Sequence, residues 1–218
     1  MSREREEIRG LMASIVSMAD EVGKFLRDAA EAFVNRDADA LPRLHARDEE
    51  IDQMENANDA RCLRILALYQ PAADDLRTVF MALKINNDLE RIGDHALNIA
   101  ERAEAVAAFP LPIPADRFRR MADLALGMLG DAIGAFISGD AALAKSVIAR
   151  DDEADDLLRE SVESVLSETW RSRPERETAI AMVFAAKEFE RIADLCTNLA
   201  EDVIFMAEGT NIKHERPV

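Results

Sequence analysis

The chain repeats itself, and an internal repeat constrains a fold more than any local pattern does. Asp28-Ala-Ala-Glu-Ala-Phe-Val34 returns as Asp131-Ala-Ile-Gly-Ala-Phe-Ile137, and Ala46-Arg-Asp-Glu-Glu-Ile-Asp52 returns as Ala149-Arg-Asp-Asp-Glu-Ala-Asp155, both 103 residues later. Leu89-Glu-Arg-Ile-Gly-Asp94 returns as Phe189-Glu-Arg-Ile-Ala-Asp194, only 100 residues later. The residues lost fall at the Pro71 and Pro174 turns, where a deletion belongs if those turns are loops between helices. Each half is therefore one copy of the same unit.

Helix breakers define that unit. There are only eight glycines and seven prolines in 218 residues. Phe109-Pro-Leu-Pro-Ile-Pro114 is the one proline-rich segment and cannot be helical. Gln70-Pro71 and Arg173-Pro174 mark a break in each half, and Arg36-Asp37 and Gly139-Asp140 mark another. The spacing predicts three helices per half, over 4–35, 38–69 and 73–107, then 116–138, 141–169 and 176–208. The expected fold is all-α: two tandem, sequence-related three-helix bundles with pseudo-twofold symmetry, over 1–108 and 115–218, joined by a proline-rich linker at 109–114.

Composition closes the other classes. Hydrophobic residues make up 49% of the chain, charged residues 32% and aromatics only 5%. A β-sandwich or barrel needs many turns and favours aromatic and β-branched strands, and a disordered chain would lack this apolar content. Asp and Glu number 43 against 27 Lys and Arg, for a net charge of −16. That balance excludes nucleic acid as the main partner, because a phosphate backbone demands the opposite sign, and it suits a protein that binds cations or basic surfaces. Cys62 and Cys196 form neither a C-x-x-C pair nor a disulfide framework. The opening Met-Ser-Arg-Glu-Arg-Glu-Glu has no apolar region of a secretory signal, and Leu124 to Ile137 reads as too short and too polar to cross a bilayer. A reducing cytoplasm is the expected location.

The duplication carries carboxylates twice. The second helix of each half holds an Asp-x-x-x-Asp pair, Asp48 with Asp52 and Asp151 with Asp155. The third holds Glu-x-x-x-Asp-x-x-x-Asn: Glu90, Asp94 and Asn98, then Glu190, Asp194 and Asn198. An i, i+4 spacing sets both carboxylates on one helix face, where like charges destabilise an isolated helix by about 0.2–0.5 kcal/mol. A cation would offset that repulsion. An oxygen-only ligand set suits Mg²⁺, Ca²⁺, Mn²⁺ or iron, and the Glu-x-x-His of ferritin-type di-iron bundles is absent. On a helical projection the carboxylates lie opposite Ile192, Leu199 and Val203, which predicts an ion at the bundle surface rather than in its core. A solvated acidic face has the same pattern, and both readings stand.

Other residues point to structure. Arg91 and Arg191 are placed to pair with neighbouring acids, Asp75 suits a helix N-terminus and is followed by Arg77, Cys196 reads as a packed thiol, and His45, His95 and His214 share no ligand or dyad spacing. No phosphate-binding glycine loop, G-x-S-x-G or H-E-x-x-H is present.

The third-helix segments, Ala82 to Glu101 and Glu188 to Phe205, resemble the two signatures of the PhoU family, and so do Gln70-Pro-Ala-Ala-Asp-Asp-Leu-Arg77 and the ending Glu208 to His214. The resemblance covers essentially the whole chain. It implies two similar three-helix bundles and a negative regulator of the bacterial phosphate-starvation response. Such a protein is an adaptor, not an enzyme, linking the ATPase subunit of the high-affinity phosphate transporter to a sensor histidine kinase. It would be peripheral to the membrane through those partners, and a homodimer. The resemblance also implies iron, zinc, manganese or magnesium at Asp48, Asp52, Glu90, Asp94, Asp151, Asp155, Glu190 and Asp194. Leu195-Cys196 replaces the His95-Ala96 of the first copy, and Pro174-Glu-Arg-Glu177 lacks the Asp-Leu-Arg of the first. Two further hypotheses remain open: an accessory protein of a low-affinity phosphate permease, and a carboxylate-site metalloenzyme or metal store.

Overall fold

The structure, a computed structural model, describes residues 2–107 and 113–209. Positions 109–112 of the expected linker, and the ending beyond Gly209 with His214, lie outside the described residues. The described residues form helices and no strand: α1 (Arg3–Asn35), α2 (Leu41–Tyr69), α3 (Ala73–Glu101), α4 (Ala103–Ala107), α5 (Ala115–Ser138), α6 (Ala141–Ile148), α7 (Asp151–Leu166) and α8 (Arg173–Glu208). In α1 the apolar residues recur at three and four: Leu11, Ile15, Met18, Val22, Phe25, Leu26, Ala29 and Phe33 are all buried. Ser2 caps its first turn, and Arg36 ends it in the left-handed region at φ 60.

Three expected boundaries are corrected. The helix expected over 73–107 ends at Glu101, and a short α4 follows the break at Arg102. The helix expected over 141–169 is two, α6 and α7, interrupted at Arg150, whose backbone lies at φ −93 and ψ −3. That arginine folds onto α5: its guanidinium donates to Asp131 Oδ2 at 3.1 Å and to the Leu124 carbonyl at 3.4 Å. The last helix begins at Arg173 rather than 176, because Pro174 sits in the first turn, where its missing N–H costs nothing. Ser172 and Glu175 close a capping box around that start.

The opening repeats explain how each unit is pinned. Arg47 pairs with Asp28, and Arg150 with Asp131. Both pairs join the second helical segment of a half to its first, and both lie in the segments that the duplication copied.

The halves pack on each other through α1 against α5 and α3 against α8, and the buried apolar residues form one cluster running through both. Phe33 of α1 meets Phe118 of α5 edge to face, with centroids 4.9 Å apart. Along α3 and α8, Lys84 pairs with Asp202, His95 with Glu188, and Arg102 lies over the Phe184 ring. The partner number falls as the α3 number rises, so the two helices run antiparallel. Residues 84 and 184, and 102 and 202, are repeat mates, so two of these contacts occupy pseudo-twofold-related places. By length and composition α5 could cross a membrane, contrary to the expectation for Leu124–Ile137. Its apolar residues are instead used in packing: Phe118, Met121, Leu124, Met128, Leu129 and Phe136 are buried.

Candidate metal centre

In each half the second and third helices lie antiparallel and bring the repeated carboxylates to a shared groove. Gly93 fixes the first groove. A Cβ built there would meet Ile51 at 3.5 Å and Asp48 Oδ1 at 3.9 Å, so the Asp48 carboxyl lies over α3 beside Asp94. The groove lies at the bundle surface and is partly closed on its inner side. Glu190 is 8% exposed, and Asp48, Glu90 and Asp151 are half-buried, while Asp52, Asp94, Asp155 and Asp194 reach solvent. The apolar side behaves as projected, with Ile192, Leu199 and Val203 buried.

Desolvation and crowding raise the pKa of several of these groups. Burial, then the charges of Asp52 and Asp94, push Asp48 up to about 6. Burial, then Asp94 and Glu55, push Glu90 up to about 7. Asp94 is also raised, by burial first and then by Asp52. In the second half, burial and then Glu190 raise Asp194 to about 6, and burial and then Asp155 raise Asp151. Mutual repulsion of this kind places each set in one electrostatic field.

Whether the set fits a metal turns on its donor chemistry and on its convergence. The donors are carboxylate oxygens carried on two helices, which is the chemistry of a hard cation. Among the described residues, however, no three His, Cys, Asp or Glu side chains stand close enough together to hold one ion between them. The helices bring the carboxylates to one groove without converging them on a single point. The donor chemistry is that of a hard cation.

Several site residues are not visible in the repeated pattern. Glu55 extends the Asp48–Asp52 stripe by three residues and faces Glu90; burial, then Asp59 and Asp52, raise its pKa. Asn86 holds this part of α2, donating to the Glu55 carbonyl and to Asp59 Oδ1, both at 2.9 Å. Behind it Asn58 donates to Asn86 Oδ1 at 2.9 Å, and Ser14 donates to Asn58 at 2.5 Å. Lys187 donates to both oxygens of Glu190, at 2.6 and 2.5 Å. The stripe of acids continuing from Asp52 to Glu55 and Asp59 was the available signal; the asparagines and the lysine carried none.

The remaining candidates have structural partners. Arg91 pairs with Asp88 at 3.5 Å and Arg191 with Glu188 at 3.7 Å. Cys196 is fully buried and free. His95 Nδ1 lies 2.6 Å from Glu188 Oε2, and His45 lies 3.6 Å from Glu101.

A duplicated three-helix unit with a carboxylate groove in each copy defines a class of two-repeat helical proteins. The sequence model of the PhoU domain matches residues 15–103 and 118–203, and the chain belongs to that family. It is 34% identical to the phosphate-specific transport system accessory protein PhoU homolog of Aquifex aeolicus, over 96% of this chain and 95% of that protein. It is 34% identical to the Pseudomonas putida protein of the same description, over 97% of this chain and 82% of that one. The crystal structure of PhoU from Pseudomonas aeruginosa superposes with a TM-score of 0.88 at 31% identity, covering 94% of this chain and 99% of that one. The phosphate transport system regulatory protein PhoU from Streptococcus pneumoniae also gives a TM-score of 0.88, at 25% identity, covering 96% and 99%.

Proposed function

We propose that the chain is a non-enzymatic regulator of phosphate uptake, a negative regulator of the phosphate-starvation response. In this reading it is a cytoplasmic helical adaptor between the ATPase subunit of a high-affinity phosphate transporter and a sensor histidine kinase. The observation that carries the reading is the end-to-end match to accessory proteins of phosphate-specific transport, with both repeats present. The two carboxylate grooves give the adaptor its cation chemistry: Asp48, Asp52, Glu90 and Asp94 in one half, and Asp151, Asp155, Glu190 and Asp194 in the other. A bound iron, zinc, manganese or magnesium ion would supply positive charge at the groove and tie the second helix to the third. The chain's own residues set where that charge is taken up. Asp48 and Glu90 bring partly desolvated carboxyls from opposite helices, and Asp52 and Asp94 continue the groove to solvent. Neutralising the grooves changes the field that an incoming partner meets on an otherwise acidic surface. The adaptor works as a homodimer at the membrane face, reached through its partners.

Deleting the gene and following a phosphate-starvation promoter in high phosphate tests the regulatory reading. Constitutive expression is the expected outcome, and unchanged repression would overturn it.

A further inference from the structure

Along the seam that α3 and α8 share, one side of each helix faces solvent. Leu76, Phe80, Asn87 and Arg91 on α3, and Ile180, Phe184, Lys187 and Arg191 on α8, follow the spacing of one helix face. An apolar patch closes each end. Leu76 and Phe80 are 44% and 52% exposed, Ile180 and Phe184 54% and 50%. Phe80 and Ile180 are repeat mates, so the patches are related by the pseudo-twofold. Arg102 lies over the Phe184 ring, which sets the patches about 30 Å apart, the rise of α3 from Phe80 to Arg102.

Between the patches the charge has a direction. Four ion pairs lie there: Lys84 with Asp202, Arg91 with Asp88, Lys187 with Glu190 and Arg191 with Glu188. In each the carboxylate is the inner partner, 3–13% exposed, and the cation the outer one, 34–51% exposed. A chain of net charge −16 therefore turns its N–H donors outward on this face. A recess of about 370 Å³ opens among Leu83, Lys84, Asn87, Asp88, Arg91 and Asn198. The amides of Asn87 and Asn198 make no hydrogen bond among the described residues.

We propose that this face docks an acidic amphipathic helix of a partner protein. Its apolar side chains rest on Phe80 and Phe184, and its carboxylates meet Lys84, Arg91, Lys187 and Arg191. This names the docking surface of the adaptor and rests on the adaptor reading given above. The face offers side-chain donors and no strand edge, so the partner must satisfy its own backbone, as a helix does. A second copy meeting it face to face would set the four cations against their equals. A flat anionic membrane would also reach Asp94 and Asp194, exposed where the face passes into the two grooves, whereas a single helix follows the seam.

Binding of the full chain is measured to three probes: the transporter ATPase subunit, the detergent-solubilised sensor kinase, and phosphatidylglycerol vesicles. Phe80→Ser, Phe184→Ser and the double variant Arg91→Gln/Arg191→Gln each weaken binding to a protein probe about tenfold. Added salt weakens it further, and Leu63→Ser, exposed on α2 away from the face, leaves it unchanged. A photo-crosslinker, benzoylphenylalanine, at position 80 or 184 of the otherwise unchanged chain attaches to an Asp- and Glu-rich helix of that protein, and at position 63 it does not. Unchanged binding in all three face variants, or a crosslink to a basic or extended segment, would overturn the inference and leave the adaptor reading standing. So would a dimer of the chain that Phe80→Ser dissolves, or vesicle binding that the face variants abolish while protein binding persists. If the wild type binds neither protein, the adaptor reading fails and this inference fails with it.

Discussion

Glu90 holds its proton close to neutral pH because α2 and α3 put Asp94, Glu55, Asp52 and Asp48 around a half-buried carboxyl. Its pKa is raised by folding, so the folded protein binds a proton that the unfolded chain has released. The stabilising contribution is complete below the ordinary carboxylate pKa and is lost as pH rises through about 7 for Glu90 and about 6 for Asp48 and Asp194. Metal-free protein should therefore melt at a higher temperature at pH 5.5 than at pH 8. Glu90→Gln should raise the melting temperature at pH 8 by a few degrees and flatten its pH dependence. Thermal melts in chelator at both values check this; an unchanged profile for Glu90→Gln would show that the charges are not coupled. The repeated carboxylates were legible because i, i+4 acids on two helices of both halves stand out in any numbering. Lys187 was not, because a lysine three residues before Glu190 looks like ordinary helix pairing, and its repeat mate Asn87 is uncharged.

Glycines separate what the helices need from what the groove needs. Gly93 lies inside α3 with ordinary contacts around a built Cβ, from 3.5 Å at Ile51 to 3.9 Å at Asp48, and its repeat mate is Ala193. Gly93→Ala should stabilise the protein by about 0.5–1 kcal/mol, the cost of glycine in a helix interior. Gly127 lies inside α5, but a Cβ there would stand 2.9 Å from the Arg150 guanidinium. Gly127→Ala should gain less, because Arg150 must move from the place where it meets Asp131. Chemical denaturation of the two variants gives the comparison; a loss of stability in Gly93→Ala would mean that Asp48 and Ile51 cannot yield. Most helix limits could be read from Pro71, Gly139 and the alternation of apolar residues. The breaks at Arg102 and Arg150 could not, because neither has a glycine or proline. The break at Arg150 coincides with a guanidinium folded onto another helix, a tertiary contact that local sequence does not encode. Pro174 misled in the other direction, since a proline after a serine cap starts a helix as readily as it ends one.

Two copies of a three-helix unit could behave as two domains on a string, but here the packing gives them one shared core. Their apolar residues form a single cluster, with Phe33 on Phe118 joining α1 to α5 and the Lys84–Asp202 and His95–Glu188 pairs joining α3 to α8. Asp202 and Glu188 are almost fully buried, so these pairs are specified contacts in the seam rather than surface decoration. The duplication was plain in the sequence, but this seam was not, because the residues that cross it are not repeats of each other: Lys84 faces Asp202, whereas their repeat mates are Phe184 and Arg102. Trp170, the only tryptophan, lies between α7 and α8 and reports on the second half alone, while far-ultraviolet circular dichroism reports on all helices. Urea unfolding should give the same midpoint by both probes, as a two-state body requires. Lys84→Met removes the ammonium from the buried Asp202 and should cost about 2 kcal/mol, less than the loss from a fully buried pair because Lys84 is a third exposed. The loss should move both probes together, although Lys84 belongs to the half without the tryptophan. If only the dichroism shifted, or the two midpoints differed in the wild type, the halves would be independent domains, and any effect of a cation in one groove would stop at the seam.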